Sequence, residues 1–386
     1  MKKLVVNLLK FGISFGILGY LIYDAVSDDA FAQMMDRPKN WGCFAAAWAL
    51  CMTATCLTFV RWYYLVRALD LPFRMADAFR LGFLGYMFNF VSLGSVGGDL
   101  FKAVFIAREQ PGKRAEAVAT VVIDRIIGLY VLFLVASVAA LVTGIISTQE
   151  ESVRFLVQLT LVLTVVGALF IVALVMPGFT NGRVSTWLSE LPRVGPLFGR
   201  LLEAIRMYRT RPGVLILTCV LSVFVHVLNT FGIYLIARGL PDPVPSLGAH
   251  FIIVSLGMLA GAIPLLPAGL GAFEGAMELL YQAVPGGVVV PKDEGLIVAF
   301  GYRAITISIA IVGAVFYFRG RRDVDAAWKE AEQMGDKPAA SAATGGASAA
   351  AAPRKTSAER TVTNGHDAKL PVTETRQGAG PRTKDH

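Results

Sequence analysis

Two stretches of this chain deliver a carboxylate just beyond glycines in otherwise apolar surroundings. They are Asn89-Phe90-Val91-Ser92-Leu93-Gly94-Ser95-Val96-Gly97-Gly98-Asp99 and Ile263-Pro264-Leu265-Leu266-Pro267-Ala268-Gly269-Leu270-Gly271-Ala272-Phe273-Glu274. Gly97 and Gly98 let the backbone turn tightly and expose N–H groups, which makes a concave anion site. Lys102 lies three residues after Asp99, on the same side of any helix starting there, so a phosphate would meet the helix N-terminus and the ammonium together. In the second stretch, Glu274 falls in the first turn after Pro267, Gly269 and Gly271, with Glu278 and Tyr281 at helical spacing behind it. An acid within apolar sequence points to function by default. Glu274 would take up a proton, pair with a cationic headgroup, or bind Arg303, which sits too deep in the last apolar run to snorkel outward. Asp124-Arg125 forms a third candidate; neighbours on a helix point about 100° apart, so these two serve different partners. Asp124 would pair with Lys102 or Arg80, or meet substrate directly. The competing reading is structural: Asp99 and Glu274 cap the helices they begin, a role worth about 1 kcal/mol.

The elements that must hold these residues are membrane helices. Of the 386 residues, 55% are hydrophobic and 17% charged, with charge scarce inside several long apolar runs. We place spanning helices at 4–26, 41–64, 118–147, 153–176, 213–237 and 295–318. The Gly/Pro-broken segments, 76–110 and 247–283, are re-entrant hairpins or pairs of shorter spans. Unpaired backbone groups in hydrocarbon are tolerated only where protein or water covers them, so a broken segment in each half marks a substrate site. The expected fold is thus an all-α polytopic integral membrane protein with six full spans and two broken hairpins.

Loop charge orients it. Lys2 and Lys3, then Arg61, Arg67, Arg74 and Arg80, then Lys102, Arg108, Lys113 and Arg114, and the six arginines of the 177–212 loop mark cytoplasmic segments. Arg319, Arg321 and Arg322 put the C-terminus on the same face, so both termini are cytoplasmic and the protein resides in the cell (inner) membrane. The first hairpin then enters from the cytoplasm and the second from outside. Opposed hairpins are what an inverted-repeat transporter would have, although the two halves share no extended identity. The 181–210 region reads as short amphipathic helices at the interface, from leucines alternating with basic residues.

The net charge of +8 is scattered through loops and tail, which suits anionic lipid headgroups and not nucleic acid. Cys43, Cys51, Cys56 and Cys219 lie in apolar runs without metal-binding spacing, so neither a disulfide framework nor a metal or cofactor is expected. The cysteines read as packing residues, and His226 with Asn229 as interhelical hydrogen-bonding groups. Residues 1–320 form the membrane domain. Residues 321–386, rich in Ala, Ser, Gly, Pro and Thr, form a low-complexity, disordered cytoplasmic tail.

Three motifs in this order, Asn89…Gly97-Gly98-Asp99, Asp124-Arg125-x-x-Gly128-Leu129 and Pro267-x-Gly269-Leu270-Gly271-x-x-Glu274, resemble the lysylphosphatidylglycerol synthase transmembrane-region family, also called the flippase-like domain family. The resemblance covers residues 5–320. It implies a membrane domain that moves lipids between leaflets. In the multiple peptide resistance factors this domain is fused to a soluble synthase that transfers lysine to phosphatidylglycerol. The present sequence continues into a low-complexity tail instead, so aminoacyl transfer is not expected of it. Stand-alone relatives are linked to diverse lipids, hopanoid and polyprenyl-linked ones among them. Lys102 stands where family members often carry arginine, which keeps the charge and loses the bidentate fork.

The function expected is movement or binding of a phospholipid or polyprenyl-linked lipid, anionic or zwitterionic in its headgroup, through a polar cavity between the hairpins. Asn89, Gly97, Gly98, Lys102, Arg125, Pro267, Gly269, Gly271 and Arg303 would line it, and Asp99, Asp124 and Glu274 would balance charge. The alternatives are a lipid-modifying enzyme using Asp99 with Asp124, and a non-transporting scaffold.

Overall fold

A computed structural model describes residues 38–91, 97–110, 113–148, 150–175, 206–262, 270–285 and 287–319. Within them the regular elements are helical, with no strand. In chain order they are α1 (Trp41–Ala68), α2 (Met75–Val91), α3 (Gly97–Glu109), α4 (Arg114–Thr143), a 3-10 turn (Ile145–Ser147), α5 (Glu151–Val175), α6 (Pro212–Arg238), α7 (Leu247–Ala262), α8 (Ala272–Ala283) and α9 (Glu294–Arg319). Five stretches are long and apolar enough to cross a bilayer: Trp41–Ala68, Glu116–Thr143, Glu151–Val172, Pro212–Arg238 and Glu294–Arg319. The protein is an all-α polytopic membrane protein. The expected first span, the 181–205 portion of the amphipathic region, Pro267, Gly269 and the tail lie outside the described residues.

Local chemistry sets the helix ends. Asn40 begins α1 by accepting from the N–H groups of Gly42 and Cys43 at 3.1 and 3.4 Å. Pro212 opens α6 at a position where its missing N–H costs nothing. Gly144, at φ 71°, stops α4 in the left-handed region, so that helix covers 114–143 and not the expected 118–147.

Pairwise contacts fix how the helices run. The α1–α6 interface is the most extensive, and it is antiparallel: Gly232 meets Cys51 and Ala47, Gly239 meets Phe44, and Ser222 meets Arg61. Small residues at this seam suit a bilayer, where apolar burial drives no association and close van der Waals packing takes over. α4 also runs against α1, with Trp62 donating to Thr120 at 3.1 Å and Arg61 reaching Asp124. α9 runs with α1, since Phe44 approaches Gly301 and Trp48 donates to Ser308. One end of the bundle therefore gathers the finish of α1 and α9 and the start of α4 and α6; the other gathers the reverse.

The two broken segments are hairpins. In the first, Arg80 reaches Glu109, the side chain of Lys102 lies against Gly85, and Asn89 reaches Gly98, so α2 and α3 run antiparallel. In the second, His250 meets Tyr281, Gly257 meets Met277 and Gly261 meets Phe273, which makes α7 and α8 antiparallel. α2 starts at the end of the bundle where α1 finishes, as the Phe59–Phe79 and Trp62–Phe73 ring contacts show. α7 starts at the other end, where Gly248 meets Thr143 and His250 stacks edge-on to Tyr234. The hairpins enter the bundle from opposite ends, as loop charge predicts.

Candidate functional site

Three clusters of ion pairs on these elements involve the candidate acids. At the tip of the first hairpin, Asp99 is the third residue of α3. Its Oδ2 accepts from Arg125 of α4, with Nε at 2.6 Å and Nη2 at 2.5 Å, and its Oδ1 lies 3.5 Å from Lys102 Nζ. Lys102 also rests over the Trp62 ring, 5.6 Å from its centroid. The Asp99 side chain is 15% exposed and that of Arg125 is 52% exposed, so the arginine forms the outer surface of the cluster. Among the described residues, two cations thus share one carboxylate here.

The glycines beside Asp99 have a different task from the anion cradle expected of them. The Gly98 N–H is donated to Asn89 Oδ1 at 3.0 Å, and a Cβ on Gly98 would collide with the Gly85 carbonyl oxygen. Gly98 thus lets α2 and α3 touch backbone to backbone, and Asn89 staples the hairpin tip. Gly97 is buried beside it.

At the second tip, Glu274 is the third residue of α8. Its Oε1 accepts from Arg303 of α9, with Nε at 2.8 Å and Nη2 at 2.5 Å. Its Oε2 accepts the Gly271 N–H at 2.8 Å. Capping and ion pairing, posed as rival readings, are performed by separate oxygens of one carboxylate. Gly271 has φ 82°, a conformation that glycine takes without penalty. The Arg303 guanidinium also lies 5.8 Å from the Phe273 ring centroid. This pair is sealed, with Glu274 0% and Arg303 13% exposed. Glu278 and Tyr281 do not join it. Glu278 accepts from the N–H groups of Asp293 and Leu296, holding the start of α9, and Tyr281 bonds His250.

The third pair is Arg61 with Asp124. Arg61 Nε and Nη2 meet Asp124 Oδ1 and Oδ2 at 2.7 and 3.0 Å, and Nη1 donates to Ser222 Oγ at 2.8 Å. The fork ties α1, α4 and α6 together. Asp124 therefore pairs with neither Lys102 nor Arg80, and Arg61, read as a loop cation, is 5% exposed inside the bundle. Gly128 provides room for its guanidinium, and His226 Nε2 bonds the Gly128 carbonyl at 3.0 Å, an interhelical contact. Asn229 bonds Val225 within its own helix. As the 100° offset requires, Asp124 and Arg125 face different partners. Arg61 and Ser222 are the residues that sequence reading missed; an arginine inside an apolar run was the available signal.

Outside the spans, Glu109 at the end of α3 pairs with Arg80 at 3.2 Å. Burial raises the Glu109 carboxyl above its ordinary value, and the Arg80 guanidinium opposes that rise. Among the described residues, no group of three or more His, Cys, Asp or Glu side chains could hold a metal ion.

Sequence comparison agrees with this architecture. A UPF0104 membrane protein of Methanothermobacter thermautotrophicus is 23% identical over 239 residues, spanning 58% of this chain and 70% of the relative. The family model described as the lysylphosphatidylglycerol synthase TM region matches residues 7–313, which takes in both hairpins and α9 as far as Gly313. On that match the chain, an integral multi-pass membrane protein, belongs to the lysylphosphatidylglycerol synthase TM-region family.

Proposed function

We propose that this membrane protein binds and moves a lipid by its headgroup, with the tips of the two hairpins forming the polar path and the acyl or isoprenoid chains remaining in the bilayer. The observation that carries the reading is the first cluster: two cations gathered on one carboxylate at the start of α3, with Arg125 on its outer surface and the acid beneath it. Such a cluster suits the phosphate of an anionic or zwitterionic lipid, since guanidinium matches phosphate with a planar fork and a Lys ammonium adds a point charge. Broken segments at membrane depth are where substrate sites lie. The enzymatic alternative loses support, because Asp99 and Asp124 are held by separate arginines and do not form a carboxylate pair.

The basic end of the bundle, carrying Arg67, Arg74, Arg80, Arg108, Lys113, Arg114, Arg211 and Arg319, is the cytoplasmic end in this proposal. In this proposal the protein lies in the cell's inner membrane with both termini inside. External labelling of a single cysteine introduced at Arg206, on a Cys-free background, overturns that orientation. Residues beyond 320 are dispensable for the membrane domain, since their composition cannot build a core; truncation after Trp328 leaves thermal stability in detergent unchanged.

Asp99→Asn and Glu274→Gln test the function in reconstituted vesicles carrying a fluorescent phospholipid. Both amides retain hydrogen bonding, and asparagine caps about as well as aspartate. Each substitution abolishes lipid movement while the protein stays folded. Wild-type movement in both variants leaves the two acids as structural groups and removes the charged path.

A further inference from the structure

The two hairpin-tip pairs match each other in detail. Each acid is the third residue of the second arm of its hairpin, Asp99 in α3 and Glu274 in α8. Each is bound through Nε and Nη2 by an arginine of the next spanning helix, 26 residues on in the first case and 29 in the second. Arg125 lies roughly 17 Å along α4 from its start and Arg303 roughly 14 Å along α9 from its own, at 1.5 Å per residue. α4 and α9 begin at opposite ends of the bundle, as do the hairpins. The span before each hairpin corresponds as well: α1 and α6 run antiparallel and share the most extensive interface. The order span, hairpin, span is repeated with inverted direction, and the acid–arginine pair is the residue-level mark of the repeat.

What breaks the correspondence is exposure. Arg125 is 52% exposed where Arg303 is 13%, and Asp99 is 15% exposed where Glu274 is 0%. Each pair joins an acid to an arginine at corresponding positions, and the first carries Lys102 besides, where Met277 stands in the second. Two equivalent devices in unequal environments are what an inverted repeat shows when it rests in one of its two arrangements.

We infer that Asp99–Arg125 and Glu274–Arg303 are equivalent latches of one inverted repeat that open in alternation; both ion pairs are made in this structure, the first exposed and the second sealed. Each arginine receives the same phosphate-bearing headgroup when its own hairpin tip is open, so the inference rests on the headgroup path proposed above. Release of Glu274 from Arg303 frees the α8 tip from α9, and the other hairpin closes in step. The fork of Arg61 on Asp124 and Ser222 joins α1, α4 and α6, and so provides the fixed frame through which the two tips are coupled.

The test uses full-length protein in lipid nanodiscs, with Cys43, Cys51, Cys56 and Cys219 replaced by alanine and one reporter at a time, Leu100→Cys or Leu270→Cys. The readout is the rate of reaction with a membrane-impermeant maleimide. With both latches native, Leu100→Cys reacts faster than Leu270→Cys. Adding Glu274→Gln raises the Leu270→Cys rate and lowers the Leu100→Cys rate, each on the order of tenfold, the size of an ordinary coupling between two sites. A rise at Leu270→Cys with no fall at Leu100→Cys means independent hairpins and overturns the inference, as do unchanged rates at both. Arg303→Lys keeps the charge and loses the fork. Should Glu274→Gln fail to fold, Arg303→Lys gives the same reciprocal change at smaller amplitude, and unchanged rates in that variant overturn the inference. Labelling needs no lipid transport. Lost reciprocity with lipid movement intact therefore removes the latches alone, and reciprocity with lipid movement indifferent to Asp99→Asn removes the headgroup path alone.

Discussion

The two hairpins solve one problem with different chemistry. Both interrupt an apolar segment and place an acid at the third residue of the second arm. The first satisfies the backbone beside that acid with a neutral amide, Asn89 accepting the Gly98 N–H, which leaves Asp99 wholly to cations. The second uses the carboxylate itself, Glu274 accepting the Gly271 N–H on one oxygen and Arg303 on the other. Separating the two duties lets the first acid change partner without unstitching its hairpin. Joining them makes the second acid part of the local fold. The first tip is accordingly cationic and open, the second neutral and sealed.

Substitutions can break or sharpen that contrast. The largest effect belongs to neither hairpin: Arg61→Met strands Asp124 inside the bundle, and uncompensated buried charges of this kind cost about 3–5 kcal/mol. A marked drop in detergent melting temperature is the outcome, and a small one would show that the fork is not the frame. Next, Gly98→Ala drives a methyl into the Gly85 carbonyl and costs about 1–3 kcal/mol. In the second hairpin, Gly257→Ala meets the flexible Met277 side chain at 3.1 Å and costs less. Equal losses in denaturation experiments would deny that the first hairpin depends on backbone contact. Gly271→Ala, at φ 82°, costs about 1–2 kcal/mol from left-handed strain. The smallest effect on stability is Lys102→Gln, at most about 1 kcal/mol since Arg125 still holds Asp99. Its signature is weaker retention of anionic phospholipid measured by mass spectrometry of the purified protein, with melting unchanged. Unchanged retention removes Lys102 from the headgroup site.

The helices were legible because spanning segments need long apolar runs and the breaks need Gly and Pro, so α1, α4, α5, α6 and α9 and both hairpins stand where composition puts them. The Glu274–Arg303 pair was legible for a related reason: an arginine deep in an apolar run requires an acid, and few acids lie at that depth. Arg61 was not. An arginine near the end of a spanning helix either snorkels outward or turns into the bundle, and neighbouring residues do not distinguish the two. The choice is made by Asp124 and Ser222, from helices remote in sequence. The Gly98 contact was hidden likewise, since a glycine that admits an anion and one that admits a second backbone look alike until the partner helix is placed.

The unequal charge of the two tips has an electrical consequence. A full elementary charge crossing the membrane does work against the potential of about 2.3 kcal/mol per 100 mV. Glu274 and Arg303 travelling together carry no net charge, so their displacement is indifferent to voltage. The formal charges of Asp99, Lys102 and Arg125 sum to +1, so on the proposed path their displacement would be weighted by the field until an anion joins them. On the proposed headgroup path, a monoanionic headgroup bound there would cancel that charge and make the loaded movement electrically silent, whereas the empty return would not be.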